Sequence, residues 1–569
     1  MYSSITTGAV HGIDSYLMQV ETDISEGLPS FNMVGFMSGE VREAGERVRV
    51  ALKNLGIRLP ARRITVNLAP AGIPKRGIVI DLPVCVGLLV CLSYLDPEDT
   101  EGVLVAGEIG LSGEIRPVKG ILSIVMQARD SGIGTCLVPS GNVGEGAMVH
   151  GIKVVGVRSL SELIAYLRRD PAHRDAFIQP VRLDAEEILL SHRLTRYPDF
   201  AGVHGQSQAK KVLEIAAAGF HNVLMTGPPG TGKTMLAKCL PGIMPPLSTN
   251  EALEITRIYS ASGILPEDTP LIAERPFVAP HHSVTKAALI GGGKIPVPGL
   301  ISQAHLGVLF LDESAEYSKE ILNLLRQPLE DHMITIRRLY GAYRYPARFL
   351  LIAAANPCPC GYYPDMNRCR CSPYEVMNYQ KRMSGPLVDR IDFRVSVNRV
   401  KSEDLHHDRQ EESSSMIRAR VAEAVERQKK RFAGTPFRYN ADMDADAVEK
   451  FCALDSHLSG TMRKLYERLG MSVRGYHKTL KMARTIADLE GREKILERDL
   501  MMAVGFRLPE EQNKEKRGSG REYKEFADRI KVKMRPAEKE TFPDHTVLND
   551  SALSDSVVKR EENECAIMD

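Results

Sequence analysis

A glycine-rich loop between a short apolar run and a helical run constrains this chain more than any other feature. The run Asn222–Thr226 (NVLMT) is typical of a buried strand, and GPPGTGKT follows at once, before the helical MLAKCL. This order is that of a phosphate-binding loop, in which backbone N–H groups and a helix N-terminus surround phosphate oxygens. The predicted nucleotide-binding residues are Gly227, Pro228, Pro229, Gly230, Thr231, Gly232, Lys233 and Thr234. We therefore expect an α/β domain with a parallel sheet that binds ATP and Mg²⁺.

A second apolar run, Val308–Leu311, leads directly into Asp312 and Glu313. Because open α/β sheets bind ligands at the carboxyl ends of their strands, these two carboxylates are expected beside the phosphate loop. Asp312 and Thr234 are the predicted Mg²⁺ ligands, and Lys233 is expected to reach the β- and γ-phosphates. Glu313 is the predicted general base, which would polarise the water that attacks the γ-phosphate.

A third apolar run also ends in a polar residue. Phe349–Ala355 (FLLIAAA) is typical of a strand, and Asn356 follows it. An amide at this position would lie between the two nucleotide motifs and could orient the attacking water, so Asn356 is a predicted catalytic residue. The alternative is a turn-forming asparagine ahead of Pro357.

The segment Ile334–Arg348 (ITIRRLYGAYRYPAR) alternates and turns near Gly341, which predicts a β-hairpin. It combines arginines with tyrosines, and such a surface suits a nucleic-acid strand, with charge for phosphates and rings for bases. The predicted DNA-contacting residues are Arg337, Arg338, Arg344 and Arg348. The alternative is a solvated hairpin whose tyrosines pack inward.

Four cysteines lie close together in the sequence, as two C-x-C pairs in a turn-rich stretch. They are Cys358, Cys360, Cys369 and Cys371. Four thiols could close a tetrahedral zinc site, and a metal could organise a loop that has little core of its own. Unliganded or redox-active cysteines are the alternatives.

Composition adds little to these motifs. The chain has 74 basic and 72 acidic residues, a net charge of +2, which neither indicates nor excludes a nucleic-acid partner. The N-terminus lacks the pattern of a signal peptide, and the most apolar stretch, 78–95, is too short and too interrupted to span a membrane. We therefore expect a cytoplasmic protein with no membrane partner and with reduced cysteines.

Four longer segments resemble one known family. They are RPFVAPHHSVTKAALIGGGKIPVPGLISQAHLGVLFLDE, NPCPCGYYPD, SGPLVDRID and SVRGYHKTLKMARTIADLEG. Together they resemble the magnesium-chelatase branch of AAA+ ATPases, and within it the ComM/YifB group, over nearly the whole chain up to about residue 508.

The resemblance implies roles for matching residues. Asn356 would be sensor 1, Arg390 the arginine finger that reaches a neighbouring subunit's γ-phosphate, and Arg474 the sensor 2 of a helical lid. The segment that contacts adenine is resembled by Phe200, Val203, Gly205 and Gln206. The family's hexameric ring is expected here as well.

Residues 62–125 resemble the proteolytic domain of Lon and the terminal domain of RadA. Lon uses a Ser–Lys dyad, in which a lysine activates the nucleophile. The matching positions here are Val79 and Leu122, which cannot perform that chemistry. We therefore expect a Lon-like domain without peptidase activity, which either contacts DNA or partner subunits or is purely structural.

A chain of 569 residues is too long for a single core, so several domains are expected. The patterns along the chain predict an α/β protein with five parts. The predicted parts are a Lon-like α+β domain over 1–170, a linker over 171–197, an AAA+ core over 198–398, a helical lid over 399–510 and a disordered tail over 511–569.

Three functional hypotheses follow from the motifs and the resemblance. The first is a hexameric motor that moves DNA strands, as in branch migration during recombination or natural transformation. The second is a chelatase-type ATPase that drives Mg²⁺ insertion into a porphyrin. The third is an ATP-dependent protease, which the missing dyad disfavours.

Overall fold

The computed structural model describes residues 1–35, 38–71, 78–191, 197–293, 296–339, 341–382, 387–400 and 411–507. Tyr340 and the predicted disordered tail lie outside the described residues. No described helix combines the length and the apolar character that a bilayer crossing needs.

The N-terminal residues form a seven-stranded mixed sheet covered by helices. Its strands are β1 (Tyr2–His11), β2 (Asp14–Ser25), β3 (Ser30–Val34), β4 (Arg63–Ala69), β5 (Val103–Val105), β8 (Thr135–Pro139) and β9 (Lys153–Val157), and β6 (Glu108–Ile109) and β7 (Ile115–Arg116) form a separate small hairpin. The sheet order is β3-β4-β2-β1-β5-β8-β9, antiparallel where β2 meets β1 and β4 and parallel elsewhere.

The helices of this region are α1 (Gly39–Asn54), α2 (Asp81–Cys91), α3 (Ile121–Asp130), α4 (Val143–Ala147) and α5 (Leu160–Leu167). The buried face of α1 consists of apolar residues at helical spacing, namely Val41, Ala44, Val48, Ala51 and Leu52. Helix α2 is buried on all sides, and its Asp81 carboxylate is held by two hydrogen bonds from Arg47. Val79 and Leu122, at the positions of the Lon dyad, are both buried apolar side chains.

The predicted linker contains helical structure. It holds α6 (Pro171–Phe177) and α7 (Ala185–Ser191). Ala185 is fully buried in the N-terminal core, and Ile188 and Leu189 pack against that core. Apolar residues within a polar stretch therefore make this segment part of the packed structure.

The phosphate loop belongs to a second sheet of five parallel strands, ordered β11-β14-β17-β10-β18. These strands are β10 (Val223–Thr226), β11 (Phe277–Val278), β14 (Val308–Leu311), β17 (Leu350–Ala355) and β18 (Phe393–Ser396). The surrounding helices are α8 (Ser207–Gly219), α9 (Lys233–Ile243), α10 (Thr249–Ser262), α11 (Lys286–Ile290), α12 (Leu300–Gln303), α13 (Lys319–Leu324), α14 (Pro328–Asp331) and α15 (Pro373–Arg382). Two small hairpins project from this core, β12 (Gly291–Gly292) with β13 (Val297–Pro298), and β15 (Met333–Arg338) with β16 (Gly341–Pro346).

The C-terminal described residues are helical, as α16 (Ser414–Arg431), α17 (Ala445–Phe451), α18 (Ser456–Leu469), α19 (Val473–Leu489) and α20 (Glu497–Gly505). The apolar side of α16 is buried, and Gln428 of that helix donates to the Ala218 carbonyl oxygen at the end of α8. The α/β fold class with a parallel sheet and many helices is thus confirmed.

The N-terminal region packs directly on the second sheet's helices and hairpin. The His11 ring stacks on Tyr343 of β16 with centroids 4.3 Å apart, and Ile13 is buried in the same apolar cluster as that hairpin. Arg257 of α10 donates to the Ile13 carbonyl oxygen. The hydroxyl of Ser260, also on α10, donates to the buried Glu145 carboxylate. The two regions therefore share one buried interface.

Candidate functional site

The phosphate loop joins β10 to α9, at the centre of the parallel sheet. Its geometry requires glycine at three positions. A Cβ on Gly227 would lie 2.1 Å from the Val397 carbonyl oxygen, and Gly230 and Gly232 have φ values of 73° and 88°. The backbone is therefore bent into a loop that larger residues would not permit.

The ends of three adjacent parallel strands converge on this loop. In the register, Thr226 of β10 is opposite Ala355 of β17, and Leu311 of β14 is opposite Ala353. The polar residues after each strand therefore meet around one cavity of about 460 Å³. Its lining is Pro229, Gly230, Thr231, Gly232, Lys233, Thr234, Met235, Asp312, Glu313, Ala354, Ala355 and Asn356.

Two of the predicted Mg²⁺ ligands are already in contact. The Thr234 hydroxyl donates to Asp312 Oδ2 over 2.8 Å. A hydroxyl and a carboxylate are hard oxygen donors of the kind that Mg²⁺ takes while it retains waters and phosphate oxygens. This donor set fits the ion.

Lys233 is held inside the loop. Its ammonium donates to the Gly227 carbonyl (2.7 Å), the Pro228 carbonyl (2.8 Å) and Asn356 Oδ1 (3.3 Å). Burial lowers the pKa of Lys233, although the carboxylates of Asp312 and Glu313 act in the opposite direction. The lysine and Asn356, which are distant in sequence, thus form one polar unit at the site.

Glu313 has a left-handed backbone, with φ of 48°. This conformation is uncommon for residues other than glycine, and such strain accumulates at functional sites. The side chain is exposed at the cavity, and the Glu313 N–H donates to Asp312 Oδ1. A solvent-accessible carboxylate next to the predicted magnesium ligands is placed as the predicted general base would need to be.

The two predicted arginines lie together at another place. Among the described residues that line the cavity there is neither Arg390 nor Arg474. Their guanidinium groups contact one carboxylate oxygen, Glu330 Oε1, at 2.7 Å from Arg390 and 3.3 Å from Arg474. The Arg390 side chain is 11% exposed and that of Arg474 is 66% exposed. No motif in the sequence points to Glu330.

The predicted adenine-contacting segment lies next to the phosphate loop. Gln206, at the end of this segment, donates to the Thr231 carbonyl oxygen over 3.4 Å. The Phe200 side chain is fully buried and that of Val203 nearly so. The phenyl ring is therefore part of the protein core, and neither residue lines the cavity in the part of the chain that is described.

The hairpin β15–β16 has one apolar and one cationic face. Tyr343 and Tyr345 are buried, so these two tyrosines pack inward and offer no stacking surface. Arg337, Arg338 and Arg344 are exposed. Arg348 differs from these three because it forms an ion pair with the buried Asp442. Among the described residues of the hairpin, the predicted mixture of arginines and aromatic rings is thus reduced to three exposed arginines.

The four clustered cysteines come together as the sequence predicted. Their sulfur atoms all lie within 4.8 Å of one another. The loop that carries them begins two residues after Asn356, so this cluster borders the nucleotide cavity.

A buried ion pair connects the strand after Arg390 to the C-terminal helices. Asp392 lies 2.8 Å from Lys478 Nζ and 3.6 Å from His221 Nδ1, and it accepts a hydrogen bond from the Asn222 N–H. Burial alone would raise the pKa of Asp392, but Lys478 and His221 hold it far below its usual range.

Replacement of Asp392 by asparagine should lower the free energy of unfolding by about 3–5 kcal/mol, because Lys478 would lose its buried counter-ion. Chemical denaturation at neutral pH measures the change. The double variant Asp392→Asn/Lys478→Met should recover part of the loss. The wild-type advantage should shrink as pH falls below about 4, where the unfolded carboxyl takes up a proton first. Equal stability of the wild-type chain and Asp392→Asn would contradict the assignment of Asp392 as the buried counter-ion of Lys478.

Family models match three stretches of the chain. "Magnesium chelatase, subunit ChlI" matches residues 199–405, "Subunit ChlI of Mg-chelatase" matches 20–142, and "Magnesium chelatase, subunit ChlI C-terminal" matches 411–507. Together these stretches cover the nucleotide site, much of the N-terminal sheet and the C-terminal helices.

Individual proteins are similar over most of the chain. Competence protein ComM of Haemophilus influenzae is 38% identical over 501 residues, 87% of this chain and 95% of that protein. The uncharacterized protein YifB of Escherichia coli is 39% identical over 509 residues, 89% of this chain and 97% of YifB. The magnesium-chelatase 38 kDa subunit of Cereibacter sphaeroides is 27% identical over 175 residues, only 28% of this chain and 52% of that subunit.

Proposed function

The chain belongs to the ComM/YifB group of magnesium-chelatase-like AAA+ proteins, and from that premise we propose that it is an ATP-driven motor that acts on DNA. Membership of the family makes it an ATPase that uses ATP and Mg²⁺. The observation that supports a DNA substrate most directly is the cationic face of the hairpin β15–β16, with Arg337, Arg338 and Arg344 exposed.

In the proposed mechanism the cavity residues divide the work of hydrolysis. The phosphate loop and Lys233 hold the phosphates. Thr234 and Asp312 would hold Mg²⁺, and the ion would offset phosphate charge. Glu313 accepts a proton from the attacking water, and Asn356 orients that water. Lys233 and Asn356 are hydrogen-bonded to each other, so the two groups are positioned together.

We further propose that a neighbouring subunit completes each site. Phosphoryl transfer leaves negative charge that one lysine does not fully offset, and an arginine supplied from outside the site is a common solution. Arg390 and Arg474 both form ion pairs with the Glu330 carboxylate, and neither is among the described residues that line the chain's own cavity. A head-to-tail ring, proposed here as a hexamer, would bring this pair to the next subunit's phosphates.

We propose DNA as the substrate of the ring, with branch migration in recombination or natural transformation as its use. Exposed arginines bind the phosphate backbone without regard to sequence, which suits a motor that moves along a strand. The similarity to a competence protein supports this direction. The apolar side of the hairpin is anchored in the core by Tyr343 and Tyr345, so the arginines are carried on a supported element.

The deciding experiment is steady-state ATPase activity with and without single-stranded, duplex and four-way-junction DNA at about 100 mM salt, because DNA affinity depends on salt. We expect one of these DNAs to stimulate hydrolysis strongly. ATPase activity that responds to none of them would overturn the DNA motor and leave the ATPase standing.

Removal of two hairpin arginines should weaken binding to DNA of any base sequence. Arg337→Ala/Arg338→Ala should lower the slope of log affinity against log salt by about 2, roughly one unit for each phosphate contact. Lys429→Ala/Lys430→Ala removes the same charge from an exposed position on α16 and is the matched control. Fluorescence anisotropy with labelled DNA at several salt concentrations measures both. An equal effect of the two double variants would contradict a specific role of the hairpin.

The other two hypotheses have less support. Similarity to the magnesium-chelatase 38 kDa subunit covers only 28% of this chain, and porphyrin-dependent turnover would be its test. A protease is disfavoured because Val79 and Leu122 are apolar and buried.

For the cofactors, we propose that the chain binds zinc in addition to ATP and Mg²⁺, and that the four clustered cysteines are the zinc ligands.

A further inference from the structure

Four cysteine sulfurs lie at the separations that a tetrahedral metal site needs. Cys358 Sγ is 3.3 Å from Cys360 Sγ and 3.8 Å from Cys369 Sγ, and Cys360 Sγ is 3.6 Å from Cys369 Sγ. Cys371 completes a set whose members all lie within 4.8 Å. With Zn–S bonds of about 2.3 Å, the sulfurs of a tetrahedral site are about 3.8 Å apart. A disulfide would need about 2.05 Å.

These four cysteines differ from the others in their surroundings. The described cysteines elsewhere, Cys85, Cys91, Cys136, Cys239 and Cys452, are buried one by one in helices, strands or their ends. The clustered four form a small apolar group of their own with Val376 and two neighbouring tyrosines. The residues between Asn356 and α15 form no helix or strand. So small a core is insufficient to order such a loop, whereas a metal could order it.

The loop also packs against the nucleotide cavity. Gly361 has φ of 84°, and a Cβ there would lie 2.6 Å from Pro229 Cδ of the phosphate loop. Gln380 of α15 donates to the Pro357 carbonyl oxygen, next to Asn356. The cysteine loop is therefore in contact with the phosphate loop at one point and continuous with Asn356 at another.

We propose that Cys358, Cys360, Cys369 and Cys371 bind one zinc ion, and that this ion braces Asn356 and the phosphate loop for ATP hydrolysis. Four protein thiolates leave no open coordination position, so the ion is structural and takes no part in the chemistry. The bracing role rests on the ATPase function assigned to the adjacent cavity. The zinc site itself does not depend on DNA as substrate.

The first test is the metal content of the full chain, purified without added metal or chelator. Elemental analysis should find one zinc per chain. Cys358→Ser/Cys369→Ser should lose it, and Cys452→Ser, which removes a buried cysteine elsewhere, should retain it. X-ray absorption on the wild-type chain, which needs no variant, should show four sulfur neighbours at about 2.3 Å. A chain without metal, or one with iron and its visible absorption, would overturn the zinc assignment.

The second test separates the effect of the cysteine loop on ATP hydrolysis from the binding of zinc. Gly361→Ala should keep its zinc but hydrolyse ATP at least about tenfold more slowly, because a misplacement near 1 Å at a positioning group costs up to about 10²-fold. Gly434→Ala is the matched control, since Gly434 also has positive φ, of 76°, but nothing within 4 Å of its Cβ position. Full activity in zinc-loaded Gly361→Ala would overturn the brace. A wild-type chain with zinc and ATPase activity that ignores DNA would instead count against the DNA motor alone.

Discussion

The variant Glu313→Gln should bind ATP normally and hydrolyse it at least about 10²-fold more slowly than the wild-type chain, since general-base catalysis contributes about 10²–10⁴-fold. The amide has nearly the shape of the carboxylate but cannot accept the proton of the attacking water. Thr234 and Asp312 would still be in contact, so the proposed magnesium ligands would be unchanged.

Equilibrium binding of a fluorescent ATP analogue and single-turnover hydrolysis measure the two halves of this prediction. Glu316→Gln is the matched control, because Glu316 is a nearby carboxylate that pairs with Arg382 and does not line the cavity. It should retain most of the activity. Unchanged turnover in Glu313→Gln would rule out its role as the base.

Arg390→Ala should retain nucleotide binding, but its ATPase rate should fall about 10³-fold or more, which is the usual range for loss of an arginine finger. Arg390 lies on Glu330, beside Arg474, and does not line the chain's own cavity. In the proposed ring, loss of the Arg390 side chain should therefore leave that cavity intact and affect the neighbouring subunit's site. Activity per subunit at increasing protein concentration measures the dependence on assembly, and Arg382→Ala is the control.

A mixture of the two inactive variants gives a sharper test. In a mixed ring, an Arg390→Ala subunit keeps its own Glu313, and an adjacent Glu313→Gln subunit can provide Arg390 to it. Combined solutions should therefore regain activity that neither variant has alone. If Arg390 acted within its own chain, the mixture would remain inactive, and the finger assignment would be wrong.

Much of the nucleotide cavity was predictable from the sequence, because each of its parts is local. The phosphate loop, Asp312 with Glu313, and Asn356 each follow an apolar run, and parallel strands end at one edge of their sheet. Knowledge of which runs are strands is then sufficient to bring these residues together. The clustered cysteines were predictable for a similar reason, because they lie within one loop.

The contacts between distant segments were not predictable in this way. Nothing near Glu330 in the sequence indicates that one carboxylate would receive both Arg390 and Arg474, because that contact depends on how three segments pack. The alternation of the hairpin predicted two faces but did not show which face was covered. Tyr343 and Tyr345 are buried because residues around His11 and Ile13 cover them.

This shared interface determines how the chain can be dissected experimentally. The ring of His11 and the side chain of Ile13 cover apolar groups of the hairpin, and Ser260 satisfies the buried Glu145 carboxylate. A fragment that begins after the N-terminal sheet would expose Tyr343 and its neighbours to water, so aggregation of that fragment would report lost packing and say nothing about a lost activity. Single substitutions such as His11→Ala should therefore be made in the full chain. They can separate the N-terminal region's own contribution to activity from its role in supporting the hairpin.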